Sequence, residues 1–163
     1  MESEEMLAGV EKVVEKVRVA AGFDWTWFGT DLDRFCRVQN WRVAEHTALG
    51  AVITTDLDLA RPEARWRERD GRAEQVIVFL SDLSSSDESD FVRQVYDHFS
   101  ALTTGIVSTL GLPTRTRAGS DGFVRWDLAS AIVELRLDED SIFLHFVDPM
   151  YRAELDHSVN EEC

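Results

Sequence analysis

The segment "EARWRERDGRAEQVIVFL", residues 63–80, decides the fold class because it reads as two strands joined by a tight turn. Asp70 and Gly71 lie at the centre of that turn. A type I′ turn favours this dipeptide because both of its central residues take positive φ. Two strands connected this closely have to pair antiparallel. The segment therefore predicts an antiparallel sheet.

Further strands are predicted on both sides of this hairpin. Residues 42–46 and 51–57 flank the segment "TALG" and indicate a looser hairpin. Near the other end of the chain, residues 123–128, 131–137 and 141–147 also read as strands. The second of these alternates apolar with charged side chains, which is typical of a strand with one buried and one wet face. We therefore expect about six to seven strands in two meanders.

Helices are predicted outside the two groups of strands. An apolar stripe over residues 6–21 indicates an N-terminal amphipathic helix. Thr30 is placed to cap a second helix, with Asp33 in a capping-box position. The longest apolar stripe covers residues 91–110. Asp148 and Pro149 read as the cap and first position of a short last helix that ends at Leu155.

This order of elements indicates an α+β fold, because the helices lie outside the runs of strands and do not alternate with them. We expect the antiparallel sheet to pack against the long central helix and the N-terminal helix. The length of 163 residues suits a single domain over residues 1–163. Its polar tail, residues 156–163, is expected to be frayed.

The stretch "FDWTWF", residues 23–28, is rich in aromatic side chains and has two interpretations. In an extended segment Phe23, Trp25 and Trp27 share one face, which suits an exposed binding platform. The same row suits a segment that is pressed onto the core between two amphipathic helices. We favour the core because both flanking helices face it, although the pattern alone leaves the platform open.

The charge balance limits the classes of partner. The chain carries 31 acidic and 17 basic residues, a net charge of −14. Nucleic acid is disfavoured because phosphate binding needs a basic face. No apolar run is long enough to span a membrane, and the acidic N-terminus does not resemble a signal peptide. The sequence therefore predicts a cytoplasmic protein with neither a nucleic-acid nor a membrane partner.

No familiar catalytic, cofactor-binding or metal-binding motif is recognised in the sequence. Asp56 and Asp58 have the two-acid spacing of some Mg-dependent transferases, but no glycine-rich phosphate loop accompanies them. The acidic run 138–140 is interpreted as a solvated turn. His145 is the histidine to examine, because a strand histidine opposite Arg136 or Asp127 would titrate near neutral pH. We expect no cofactor, no metal and no enzymatic activity.

The remaining candidate is the charged surface. Acidic side chains gather after the central hairpin, and we expect these to contact a partner: Asp82, Asp87, Glu88 and Asp90. Arginines gather along the hairpin itself: Arg61, Arg65, Arg67, Arg69 and Arg72. Strand alternation predicts that Arg65, Arg67 and Arg69 project from one face and Trp66 from the other. Segregated charge of this kind favours binding to a protein with a basic surface.

Three short motifs resemble an uncharacterised actinobacterial domain family. They are "WTW" ahead of "TDLDRF", the "WRV" that follows, and the closing "FVDP". Members of that family tend to lie near genes for specialised secretion and polymorphic toxins. The order of elements also resembles that of class I secretion chaperones, at the level of fold alone. The resemblance assigns no functional residue.

From these observations we expect a non-enzymatic, partner-binding protein, and first of all an immunity protein that neutralises a cognate toxin. The alternative is a secretion chaperone that forms a homodimer and holds a client segment. A further alternative is an enzyme whose site is not recognised, which would place His145 or Asp56 in a closed pocket beside a second titratable group.

Overall fold

The computed structural model describes residues 7–82, 89–139 and 141–161, with the side chains of all but 89–90 and 158–161. Its elements alternate between helices and two runs of strands. They are α1 Val10–Ala21, α2 Asp31–Gln39, β1 Arg42–Thr47, β2 Gly50–Thr54, β3 Glu63–Arg69, β4 Arg72–Phe79, α3 Ser89–Leu110, β5 Arg115–Arg117, β6 Phe123–Asp127, β7 Ile132–Asp138, β8 Ser141–Val147 and α4 Pro149–Glu161.

The strands form one antiparallel sheet in the order β1-β2-β3-β4-β8-β7-β6-β5. Two meanders therefore meet at their last strands, β4 and β8, and each meander follows its own helical segment. The predicted α+β class and the two meanders are confirmed. The sheet has eight strands, more than predicted, because β5 is a short and exposed strand without apolar alternation.

The central hairpin has the predicted turn. Asp70 and Gly71 both take positive φ, at 54° and 78°. Trp66 is buried on the helical side, while Arg65 and Arg67 lie on the opposite side of β3. A β-bulge between Arg67 and Glu68 shifts the register just before the turn. The alternation predicted for Arg65 and Arg67 is therefore confirmed, and the bulge interrupts it before Arg69 is reached.

Helices α1 and α3 pack against one another over the first side of the sheet. A Cβ built on Gly105 of α3 would lie 2.8 Å from Cγ2 of Val14 and 3.1 Å from Cγ1 of Val10. The glycine therefore permits the close approach of the two helices, because any side chain there would collide with α1. Buried residues from these helices and from the sheet form one continuous core.

The aromatic stretch belongs to this core. Phe23, Trp25 and Trp27 are all buried, so the core interpretation is confirmed, whereas Phe28 is 55% exposed. The indole rings of Trp25 and Trp27 stack at 4.1 Å. Trp27 takes a left-handed backbone conformation, with φ of 63°, and its indole nitrogen donates to the carbonyl oxygen of Ser130. The stretch thus connects the first half of the chain to the second.

The start of α2 differs from the predicted capping box. Thr30 makes no side-chain cap hydrogen bond, because its backbone is already helical. Asp31 is fully buried, and its carboxylate instead accepts hydrogen bonds from the backbone N–H groups of Thr26 and Trp27, both at 2.8 Å. It also lies 2.6 Å from the guanidinium of Arg34. The acid therefore holds the aromatic stretch in place.

The other helix ends are closer to the prediction. Gly22 terminates α1, and its N–H donates to the carbonyl of Arg18. The Oδ1 atom of Asp148 accepts from the N–H of Met150, which confirms the predicted cap of α4. This helix continues to Glu161, beyond the predicted end at Leu155. None of the helices in the described ranges combines the length and the apolar composition needed to cross a membrane.

Candidate functional site: the uncovered face of the sheet

The acidic residues predicted to contact a partner are only partly visible. Asp82 is described, and its carboxylate accepts hydrogen bonds from the N–H groups of Ala60 and Arg61 at 2.9 and 3.1 Å. It therefore holds the loop between β2 and β3. Asp87 and Glu88 lie outside the described residues. Asp90 lies in α3, but its side chain is not among those described.

Asp56 has a structural role. Its carboxylate accepts hydrogen bonds from Nζ of Lys16 at 2.9 Å and from Nε1 of Trp41 at 2.7 Å. Partial burial acts to raise the pKa of Asp56. The hydrogen bonds from Lys16 and Trp41, with the charges of Lys16 and Lys12, outweigh that effect and hold the pKa below its usual value. Within the described ranges, no three residues among His, Cys, Asp and Glu are arranged to hold a metal ion.

His145 does not behave as the sequence suggested. The register places it opposite Glu134 of β7 and Ile77 of β4, while Arg136 lies opposite Phe143. Burial, together with the charges of Arg136 and Arg152, lowers the pKa of His145 to about 3. The expectation of titration near neutral pH is therefore wrong, because the imidazole lies in a desolvated and positively charged environment.

Among the described residues, only helix α4 covers the second side of the sheet, and it covers only part of it. Helix α4 lies over one part of it, where Glu134 and Arg125 are buried. Arg152 of α4 lies 3.7 Å from Glu134, and Asp156 of α4 lies 3.6 Å from Arg125. These ion pairs attach α4 to β6 and β7. The rest of this side carries side chains that are only partly buried or exposed.

We call this remaining part the open face. The register places five of its side chains in one row across five neighbouring strands, since Phe79 pairs with Phe143, Phe143 with Arg136, Arg136 with Phe123 and Phe123 with Arg117. Arg65 and Ile77 face each other next to this row. The open face is Arg65, Ile77, Phe79, Arg117, Phe123, Arg136 and Phe143.

Aromatic rings and guanidinium groups contact each other along the open face. Phe79 and Phe143 meet edge to face at 5.4 Å. The guanidinium carbon of Arg65 lies 5.8 Å from the ring centre of Phe79. Those of Arg117 and Arg136 lie 5.1 and 5.6 Å from the ring centre of Phe123. Such contacts already restrict the long arginine side chains in the free protein, so little more side-chain entropy is lost when they bind a partner.

Two cavities meet on the open face. One of about 370 Å³ is lined by Ile77, Arg117, Arg136, Phe143 and His145, together with the exposed acids Asp121 and Asp138 and with Leu137. Another of about 440 Å³ is lined by Phe79, by Ser81 and Asp82 after the end of β4, by Ser141 and Phe143 of β8, and by Ala60 and Arg61 of the loop between β2 and β3. Phe143 lines both, so the two cavities form neighbouring depressions with one shared wall.

The arginines of the open face differ in their pairing. Arg65 forms an ion pair with Glu63. Arg136 shares the single carboxylate of Glu134 with Arg152, at 2.7 and 3.7 Å. Arg117 donates only to the backbone carbonyl of Asp121, at 2.8 and 3.1 Å, and has no carboxylate partner among the described residues. Of the three arginines of the open face, Arg117 is therefore the one without an ion pair among the described residues.

The open face was not predicted from the sequence. Its residues come from six strands and meet only through the β4–β8 pairing, which joins distant parts of the chain. One signal was available in the sequence, since Phe143 and Val147 are apolar although they alternate with the core residues Ile142, Leu144 and Phe146. That pattern indicates a face that is either covered or used for binding.

Comparison with known proteins gives a family without an assigned activity. The model of the family of unknown function DUF6301 matches residues 11–148, which include every strand of the sheet. The chain matches no curated protein and no solved structure.

Proposed function

We propose that this chain, which belongs to the DUF6301 family of unknown function, is a non-enzymatic protein that binds another protein. The observation that carries the proposal is that each buried charged side chain of the described residues forms an ion pair. Five charged side chains are buried in the described residues: Lys16, Asp31, Arg125, Glu134 and Asp148. Each of them forms an ion pair with a neighbour. The interior charges are therefore balanced locally, and the excess of acid lies at the surface.

Within this class we propose an immunity protein that neutralises a cognate toxin in the cytoplasm. The net charge of the chain, −14, suits a partner with a basic face, because complementary charge speeds encounter and suppresses wrong partners. The acidic group Asp82, Asp87, Glu88 and Asp90 is the proposed contact. Because Asp82 already holds Ala60 and Arg61, we expect the other three acids to supply most of the binding.

The test is co-purification with the protein encoded by the neighbouring gene, followed from low to high salt. We expect binding to weaken as salt rises, because screening acts on surface charges. The triple variant D87N/E88Q/D90N should bind more weakly than the control E11Q/E15Q/D24N. The control removes the same number of charges from exposed positions on and after α1. An affinity for the partner that changes neither with salt concentration nor in the triple variant would contradict the proposal.

A secretion chaperone is the second candidate, and the open face is the observation that favours it. The open face carries partly exposed aromatic rings, which can bind the apolar side chains of an unfolded client segment. An acidic surface offers no such contact to apolar side chains. A chaperone would form a stable homodimer, which sedimentation measures directly, and would bind a short segment of its client. An immunity protein would instead bind the folded toxin and lose that binding in the acidic triple variant.

A further inference from the structure

The open face has the composition of a protein-binding site. Aromatic residues and arginine are the side chains enriched in interface centres and among the residues that dominate binding energy. Here they form one row, Phe79, Phe143, Arg136, Phe123 and Arg117, and the rings are already in contact with the guanidinium groups. Little side-chain entropy remains to be lost on binding, so the surface is pre-organised.

We propose that the open face binds an extended segment of a partner protein in which apolar side chains are accompanied by carboxylates. The apolar side chains would fill the two cavities that share Phe143, beside Ile77 and Phe79. The carboxylates would pair with Arg117 and with Arg136. The open face adjoins the acidic contact proposed above, because Asp82 lines the second cavity. It does not depend on toxin neutralisation, and its tests change none of the acidic residues, so each proposal can fail alone.

Charge complementarity selects the carboxylates. Arg117 has no acidic partner in the described chain, and Arg136 shares one buried carboxylate with Arg152. The low pKa of His145, caused by burial and by Arg136 and Arg152, agrees with a positive potential beneath the row. A guanidinium fork matches a carboxylate in two parallel hydrogen bonds. Asp121 and Asp138 also line the first cavity, but both are exposed, so solvent and salt screen their charges.

The dimensions select a short extended segment. The row crosses five neighbouring strands, which span about 19 Å at ~4.8 Å per strand spacing, and an extended chain of about six residues has the same length. Nucleic acid is disfavoured as the occupant, because a net charge of −14 repels a polyanion over the whole surface. A short segment with few charges avoids most of that repulsion, since salt screens charges beyond ~8 Å at physiological ionic strength.

The test uses the full chain and two labelled peptides of about six residues, the length derived above. One alternates Glu with Leu or Phe, and the other carries Lys in place of each Glu. Fluorescence anisotropy gives the affinities, and the methyl resonance of Ile77 reports the location. Ile53 and Ile106 are buried beneath the helices and serve as internal references. We expect the acidic peptide to shift Ile77 alone and to bind about tenfold more tightly than the Lys peptide.

Matched variants test the side chains. Arg117→Gln should weaken the acidic peptide by about threefold to tenfold, while Arg18→Gln, which removes an exposed arginine of α1, should leave it unchanged. Phe143→Ser should weaken both peptides, whereas Leu112→Ser, at an 87% exposed position elsewhere, should weaken neither. Circular dichroism confirms that each variant is folded.

Several results would overturn the proposal. One is an Ile77 methyl resonance that does not shift when peptide is added. Others are equal affinities for the two peptides, or equal effects of Arg117→Gln and Arg18→Gln on the affinity for the acidic peptide. A single-stranded oligonucleotide that binds the face more tightly than the acidic peptide would assign it to nucleic acid instead. An Ile77 resonance that shifts with protein concentration, together with a dimer that Arg117→Gln dissociates, would assign it to a second copy of the chain.

Discussion

Nζ of Lys16 lies 2.9 Å from Oδ2 of Asp56 and 2.7 Å from the backbone carbonyl oxygen of Gln39. One ammonium group thus connects α1 to the end of α2 and to the loop after β2. Gln39 returns a hydrogen bond from its side-chain nitrogen to the carbonyl of Lys16, at 2.9 Å. The ammonium is buried, so these contacts replace the water that it loses on folding.

Lys16→Met should lower the free energy of unfolding by about 2–3 kcal/mol, because it leaves the carbonyl of Gln39 and one oxygen of Asp56 without their partner. The value is below that of a fully buried pair because the side chain of Asp56 is 22% exposed. Urea denaturation measures the change. Lys12→Met, on the same helix but with no direct hydrogen bond to Asp56, should cost less than about 0.5 kcal/mol. Equal effects would contradict the assigned role of Lys16.

Asp31→Ala should lower the free energy of unfolding by about 3 kcal/mol, because the buried N–H of Trp27, the part-buried N–H of Thr26 and the guanidinium of Arg34 lose their acceptor. Asp33→Ala changes an exposed acid of the same helical turn and should cost less than about 0.5 kcal/mol. Thermal or urea unfolding compares the two variants. A larger loss of stability in Asp33→Ala than in Asp31→Ala would contradict this assignment and support the capping box predicted for Thr30 and Asp33.

His145 should remain neutral over the physiological range. Its pKa is lowered to about 3 by burial and by the charges of Arg136 and Arg152, below the ordinary value of about 6.5. As the pH falls, the unfolded chain therefore binds a proton at His145 at a higher pH than the folded chain does. The contribution to stability is complete above pH ~6.5 and is lost progressively as the pH falls towards the folded pKa.

Two measurements check this prediction. The Hε1 resonance of His145 should stay constant between about pH 8 and pH 5, where a histidine in an unstructured peptide titrates. The pH dependence of stability should be shallower in His145→Gln than in the unaltered chain over roughly pH 6.5 to 4, because one titrating group is removed. A midpoint near neutrality for His145 would contradict the positive environment assigned to the open face.

The elements of the fold were predictable because their signals are local. The turn at Asp70 and Gly71, the cap at Asp148 and the long helix α3 each depend on residues within a few positions of one another. Strand β5 escaped prediction because three exposed residues, Arg115 to Arg117, carry no periodic pattern. The cap at Thr30 was wrong because the backbone of Thr30 is already helical. That conformation depends on the path of the aromatic stretch, which Asp31 holds through the N–H groups of Thr26 and Trp27.

The open face was not predictable for a different reason. Alternation within a strand shows that residues share a side, as for Arg65 and Arg67, but not which strand lies beside them. Only the pairing of β4 with β8 brings Phe79 against Phe143, and that pairing joins residues far apart in the chain. Among the described residues, none covers Arg117 and Phe123, and this depends on the position of α4 on the sheet, which the sequence pattern does not give.

The junction of the two meanders has a consequence for how this chain tolerates division. The inner edge of β4 finds its hydrogen-bonding partners only in β8, and β8 finds its own on that side only in β4. A fragment that carried one meander alone would display a row of unsatisfied backbone groups flanked by apolar side chains, the surface on which aggregation begins. Truncations or split reporters that cut between the halves are therefore expected to need both pieces present at synthesis.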